Sequence, residues 1–76
     1  ATDPDPHRVG AVPQLTPREL SVLRLLSIGK RTAEIAKHLG LGEETVRSHL
    51  KKAQRKLAVS DRTHAVADAM RQRLIP

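Results

Sequence analysis

Between Thr45 and Leu57 the apolar residues recur at the spacing of one helical face. At about 100° per residue, Val46, Leu50, Ala53 and Leu57 fall on a single stripe, and Arg47, Ser48, Lys51, Lys52 and Arg55 fall on the opposite arc. Upstream, Val22, Leu23 and Leu26 keep the same period and Leu25 widens it, which predicts a first helix over residues 17–28. Its start is marked by Thr16 as cap, Pro17 in the first turn and Glu19 at the capping-box position. Gly29 is placed to take the left-handed conformation that ends a helix. Ile35, Ala36 and Leu39 predict a second, shorter helix over residues 32–39, stopped by Gly40. A tight link, Gly40, Leu41, Gly42, leads to a third helix from Glu43, with Leu41 as the buried anchor of the turn. After Leu57, Ser60 or Asp61 can cap a fourth helix whose stripe is Ala65, Val66 and Ala69 and which runs to about Arg73. Leu20 and Ile28 fall off the main stripe of the first helix. The expected fold is all-α, a compact four-helix domain in which the second and third helices form a helix-turn-helix.

Residues 1–14, with Pro4, Pro6, Gly10 and Pro13 and no sustained apolar period, read as a flexible linker or disordered arm, leaving residues 15–76 as the folding unit. A unit of this size buries only about 60% of its unfolded surface and is marginally stable. Aromatic residues and cysteine are both absent, so the core must be built from Leu, Ile, Val and Ala without ring stacking or disulfides. Lack of cysteine fits a reducing cytoplasm. No apolar run approaches the roughly 18–20 residues of a membrane span, and no signal-peptide pattern is present, so the expected location is cytoplasmic and no membrane partner is expected.

The net charge is +6, of which residues 1–14 contribute −1 through Asp3, Asp5 and Arg8, so residues 15–76 carry +7. That balance favours anionic partners, nucleic acid foremost, although acidic surfaces of proteins or lipids attract it too. The third helix concentrates the effect, with five basic side chains and no acidic one from Thr45 to Leu57. A row of Lys and Arg on a helix exterior is also an ordinary solvated face, and charge alone leaves both readings open. Glu43 and Glu44 in the first turn of this helix complement its positive dipole end, and the basic residues from Lys51 to Lys56 suit its C-terminal half.

Other residues that invite chemistry carry less. His7, His38, His49 and His64 share no chelating spacing and have no cysteine to assist them, so no metal or other cofactor is expected. Glu19 lies in a capping box with no second carboxylate or histidine at a spacing that makes a catalytic pocket, and the chain is not expected to be an enzyme. Met70 fits either a dimer contact or a filler of core gaps.

Five blocks, LTPRE at 15–19, VLRLLSIG at 22–29, EIAKHLGL at 34–41, TVRSHLKKAQRKL at 45–57 and DRTHAV at 61–66, together resemble the LuxR-type (GerE-type) helix-turn-helix domain of bacterial response regulators and quorum-sensing activators. The resemblance covers Leu15 to about Leu74. It implies a transcription regulator whose third helix enters the major groove of double-stranded DNA, with Arg47, Ser48 and Lys51 at base edges. The chemistry agrees: Arg binds guanine O6 and N7 with two parallel hydrogen bonds, Lys offers a point charge, and Ser a short donor and acceptor. Thr32, Thr45, Lys52 and Arg55 suit phosphates. The resemblance also implies a homodimer on DNA through the last helix, whose exposed side would include Thr63, Ala67 and Met70. It further implies an RNA polymerase contact, an N-terminal regulatory domain, and an ion pair between Glu19 and Arg62.

Three positions depart from the family pattern. Arg31 stands where a capping Ser or Thr is usual, and Thr32 is expected to take over the cap. Gly42 replaces a Ser before the third helix, and Ala53 a larger aliphatic residue. The promoter-reading domain of sigma factors has a similar recognition helix, and a protein-interaction module remains a further alternative; DRTHAV and the fourth helix favour the LuxR type.

Overall fold

In the computed structural model, residues 14–76 are described; residues 1–13, which make up nearly all of the expected N-terminal arm, lie outside the described residues. Helices α1 (Pro17–Ser27), α2 (Thr32–Leu39), α3 (Glu43–Leu57) and α4 (Arg62–Arg71) follow in order. No strand occurs among the described residues. Helix α1 starts as its sequence dictates. The Thr16 hydroxyl accepts from the Glu19 backbone N–H at 3.1 Å, and the Glu19 carboxylate accepts from the Thr16 N–H at 2.9 Å, which pairs two N–H groups that a bare helix end leaves free.

Helix α2 is capped differently from expectation. The cap position is Arg31, not Thr32, because Thr32 already has helical backbone and begins the first turn. Arg31 has no side-chain acceptor, and Glu34 compensates by accepting from the Arg31 backbone N–H at 2.9 Å. Gly42 caps α3 in extended conformation without a side-chain bond, and Glu43 and Glu44 supply the negative charge of the first turn.

Each helix ends in the same way. A residue in the left-handed region turns the chain, and the N–H after it reaches back five residues: Lys30 to the Leu25 carbonyl (3.0 Å), Leu41 to Ala36 (2.9 Å), Val59 to Gln54 (3.0 Å) and Leu74 to Ala69 (2.8 Å). The turning residues are Gly29 and Gly40 after α1 and α2, but Ala58 and Arg73 after α3 and α4. Arg73, expected to lie inside α4, therefore lies beyond it. The reversal there folds Leu74 and Ile75 back onto the bundle, and Ile75 is buried.

The core divides into two clusters joined by partly buried Leu26 and Leu50. One gathers Val22, Ile35, Ala36 and Val46 beneath the helix-turn-helix, with Leu25, Leu39 and the turn residue Leu41 against it. The other gathers Leu23, Ala53, Leu57, Ala65, Ala69 and Ile75 between α1, α3 and α4, and Leu20 packs half-buried on it. Burial of side chains such as Leu23, Ile35, Val22 and Val46 contributes about 1.5–3 kcal/mol each. Ala53, Ala65 and Ala69 are all fully buried, so the small residue at position 53 belongs to an alanine-lined seam between α3 and α4. Helix α3 packs on all three other helices.

Candidate nucleic-acid interface

The inward stripe of α3 is occupied as its period requires: Val46, Ala53 and Leu57 are buried and Leu50 half-buried. Docking that stripe fixes what the helix shows outside. Arg47, Ser48, Lys51, Lys52 and Arg55 are all exposed, and with Glu44 they line one shallow concavity running along the helix. Beside it, Thr32 from the first turn of α2 meets Arg47 and Lys51 in a second concavity that extends to Ser60, Asp61 and Arg62. The turn thus sets α2's N-terminus along one flank of α3. Thr45 is exposed and lines neither concavity; its wheel position is about 20° from Lys52, on the opposite flank. Of the residues expected at base edges, Lys51 and Ser48 thus lie on either side of Arg55 along the outward arc and Arg47 lies on the side of Thr32, with Thr45 and Lys52 on the other flank.

Two features of this face are absent from the sequence reading. Arg47 is bound within its own helix: Nη1 donates to Glu44 Oε1 at 2.6 Å and Nη2 to Glu43 Oε1 at 3.3 Å. The spacings i,i+3 and i,i+4 were the signal for these pairs. The second concerns Lys56. It belongs to the basic run but turns away from the outward arc, where its Nζ donates to Glu19 Oε1 at 2.8 Å and to the Gln14 carbonyl at 2.9 Å. Lys56, not Arg62, is therefore the partner of Glu19; Arg62 instead lines the concavities beside Thr32.

Glu19 is buried at 1% exposure, and its environment is built for a charge. Burial alone raises its pKa, but the hydrogen bond and charge of Lys56, with the backbone and hydroxyl bonds of Thr16, outweigh burial and hold it below the usual glutamate value. This cluster ties the last turn of α3 to the first of α1, a positional role. His49 sits half-buried at the edge of the stripe. No grouping of three or more metal-ligating side chains occurs among the described residues, and no helix there is long and apolar enough to cross a membrane. On α4, Thr63, Ala67 and Met70 are exposed, with Met70 at 47%, so Met70 fills no core gap; Ile28 at the end of α1 is more exposed still.

Known proteins share this arrangement. Residues 13–69 match the model of the luxR family of bacterial regulatory proteins. The spore germination protein GerE of Bacillus subtilis is 46% identical over 59 residues, which is 78% of this chain and 80% of GerE. The transcriptional regulatory protein NarL of Mycobacterium tuberculosis is 44% identical over 63 residues, 83% of this chain but 29% of NarL, so the chain spans under a third of that relative's length. The solved structure of the transcription factor GerE superposes with a TM-score of 0.79 at 34% identity, covering 82% of this chain and 92% of GerE. Family match, identity and fold agree, and the chain belongs to the luxR family of bacterial regulatory proteins as a DNA-binding helix-turn-helix domain of the kind found in transcription regulators.

Proposed function

We propose that this domain reads double-stranded DNA sequence-specifically, with α3 in the major groove. Arg47, Ser48 and Lys51 contact base edges, and Thr32, Thr45, Lys52 and Arg55 contact phosphates. The observation that carries this reading is the division of α3 into an inner stripe packed on the core and an exposed cationic arc, with polar hydroxyl residues on both flanks. Phosphate contacts orient such a helix, and base edges supply its sequence preference.

The biological setting follows the same reading. Residues 15–76 form the reading unit and residues 1–14 the tether to an N-terminal regulatory domain, a proposal supported by relatives such as NarL that are more than three times as long as the region shared. The domain works in the cytoplasm as a homodimer on DNA. The exposed Thr63, Ala67 and Met70 of α4 form the subunit contact, and another surface meets RNA polymerase. It performs no catalysis and needs no cofactor.

Selection from a randomised duplex library at moderate salt, with Arg47→Ala in parallel, tests the reading. The expected result is an enriched motif with inverted-repeat symmetry, which Arg47→Ala degrades at a guanine with a loss of about 1–3 kcal/mol. Salt-sensitive binding with no enriched motif would overturn base readout.

A further inference from the structure

The outward arc of α3 holds one anion among its cations. Glu44, 94% exposed at its side chain, lines the same concavity as Arg47, Ser48, Lys51, Lys52 and Arg55. On a helix it lies within about 20° of Lys51 and Arg55, at the middle of the arc, and about 60° from Arg47. Charge for the helix dipole does not require that position, because Glu43 already provides it off to one side. A carboxylate in the centre of a surface that meets a polyanion repels every phosphate it approaches. The repulsion is offset only where the duplex presents a donor; of the two major-groove amino groups, adenine N6 sits beside the N7 acceptor, which repels a carboxylate, and cytosine N4 is the one that carboxylates accept from.

We propose that Glu44 is a specificity-determining residue that reads a cytosine amino group next to the guanine engaged by Arg47, and that disfavours duplexes without it. The inference rests on the base-reading role given to Arg47 above. In the free domain Glu44 Oε1 accepts the 2.6 Å bond from Arg47 Nη1. On an unrelated duplex Glu44 keeps only its bond from Arg47 and faces the phosphates with no donor from the bases. On the right site Arg47 turns two of its five N–H donors to guanine O6 and N7, keeps another on Glu44, and leaves the second Glu44 oxygen for cytosine N4. Three residues of helix rise about 4.5 Å and one base-pair step about 3.4 Å, so the two side chains address neighbouring pairs.

The test compares Glu44→Gln, which keeps the shape and removes the charge, with Glu44→Asp, which keeps the charge and shortens the reach. Both are titrated against the selected duplex and a scrambled one, and both are carried through the library selection. For Glu44→Gln the expected result is tighter binding to the scrambled duplex without a gain on the selected one, so that the specificity ratio falls about 5- to 100-fold. The cytosine preference beside the guanine disappears in both variants. Glu44→Asp keeps weak binding to the scrambled duplex. An equal gain on both duplexes with Glu44→Gln would reduce Glu44 to general repulsion and overturn the proposal, as would unchanged affinity on both. The Arg47→Ala selection separates the two readings. If it leaves the guanine preference intact while Glu44→Gln erases that for cytosine, the role of Arg47 falls and that of Glu44 stands. Because Glu44 is exposed, unchanged thermal melting checks that both variants are folded.

Discussion

Glu19 is the residue at which the fold commits charge to its interior. Its carboxylate is satisfied by the Thr16 N–H and by Lys56 Nζ, and no buried side-chain nitrogen or oxygen among the described residues lacks a partner. Removing one member of such a pair costs more than the pair contributes, because it leaves the other desolvated and alone. Lys56→Met is therefore expected to destabilise the domain by about 2–3 kcal/mol, moderated by the partial exposure of Lys56, and a double-mutant cycle with Glu19→Gln should show coupling. The sign of the pH effect follows from the lowered pKa. A group whose folded pKa is below its unfolded value stabilises the fold fully above the unfolded pKa, about 4.5 for glutamate, and loses that contribution as pH falls through the folded pKa. Melting curves from pH 7 down to pH 3 should show an acid-labile wild type and a flatter acid limb for Glu19→Gln. The capping role of Glu19 was legible from its spacing to Thr16. Its partner was not, because Lys56 lies 37 residues away and only the packing of α1 on α3 joins them.

At the scale of elements, the helix ends separate what local sequence encodes from what packing imposes. The starts of α1 and α4 follow from their caps and the end of α2 from Gly40, whereas Arg31 gives no cap signal where α2 begins and Ala58 no glycine signal where α3 ends. Helix α1 stops at Ser27, one residue short of the reading from period alone, because Ile28 already serves its closing turn. Helix α4 ends two residues before its period predicts: Arg73 carries no glycine signal, yet it adopts φ 60° where Leu74 and Ile75 return to the core. An L-residue in this region is strained by about 1–2 kcal/mol, and glycine relieves the strain at some cost in unfolded-state entropy. Ala58→Gly, with φ 57° after α3, is thus expected to raise stability by about 0.5–1 kcal/mol. Gly40→Ala should lower it by about 1 kcal/mol; no atom lies within 4 Å of the added Cβ, so the loss is conformational. Denaturant midpoints at constant slope would measure both, and an Ala58→Gly midpoint below that of the wild type would contradict the strain assignment.

Over the whole molecule, the number of phosphates contacted sets the response to salt. With about six contacts the logarithm of affinity should fall with the logarithm of salt concentration at a slope near −5. Arg55→Ala should weaken all duplexes alike and make that slope shallower by about one, whereas Arg47→Ala acts on the preferred site. Titrations at several salt concentrations would show this, and equal losses for both variants on every duplex would refute the division of roles. The cationic arc was visible in the sequence as a set of residues. Its operating state was not: the ion pairs of Arg47 with Glu43 and Glu44 depend on which rotamers a docked helix leaves free, and the diversion of Lys56 to Glu19 depends on α1.

On the proposed reading, helix α3 keeps its two tasks on separate residues. Val46, Leu50, Ala53 and Leu57 hold the bundle together, while Glu44, Arg47, Ser48 and Lys51 touch nothing the core needs. Exchanges at those outward positions stay within about ±0.5 kcal/mol of stability. A lineage can therefore rewrite which operators the domain recognises, one side chain at a time, without passing through an unfolded ancestor, so duplicated genes bearing this scaffold are free to diverge in target while remaining foldable at every step.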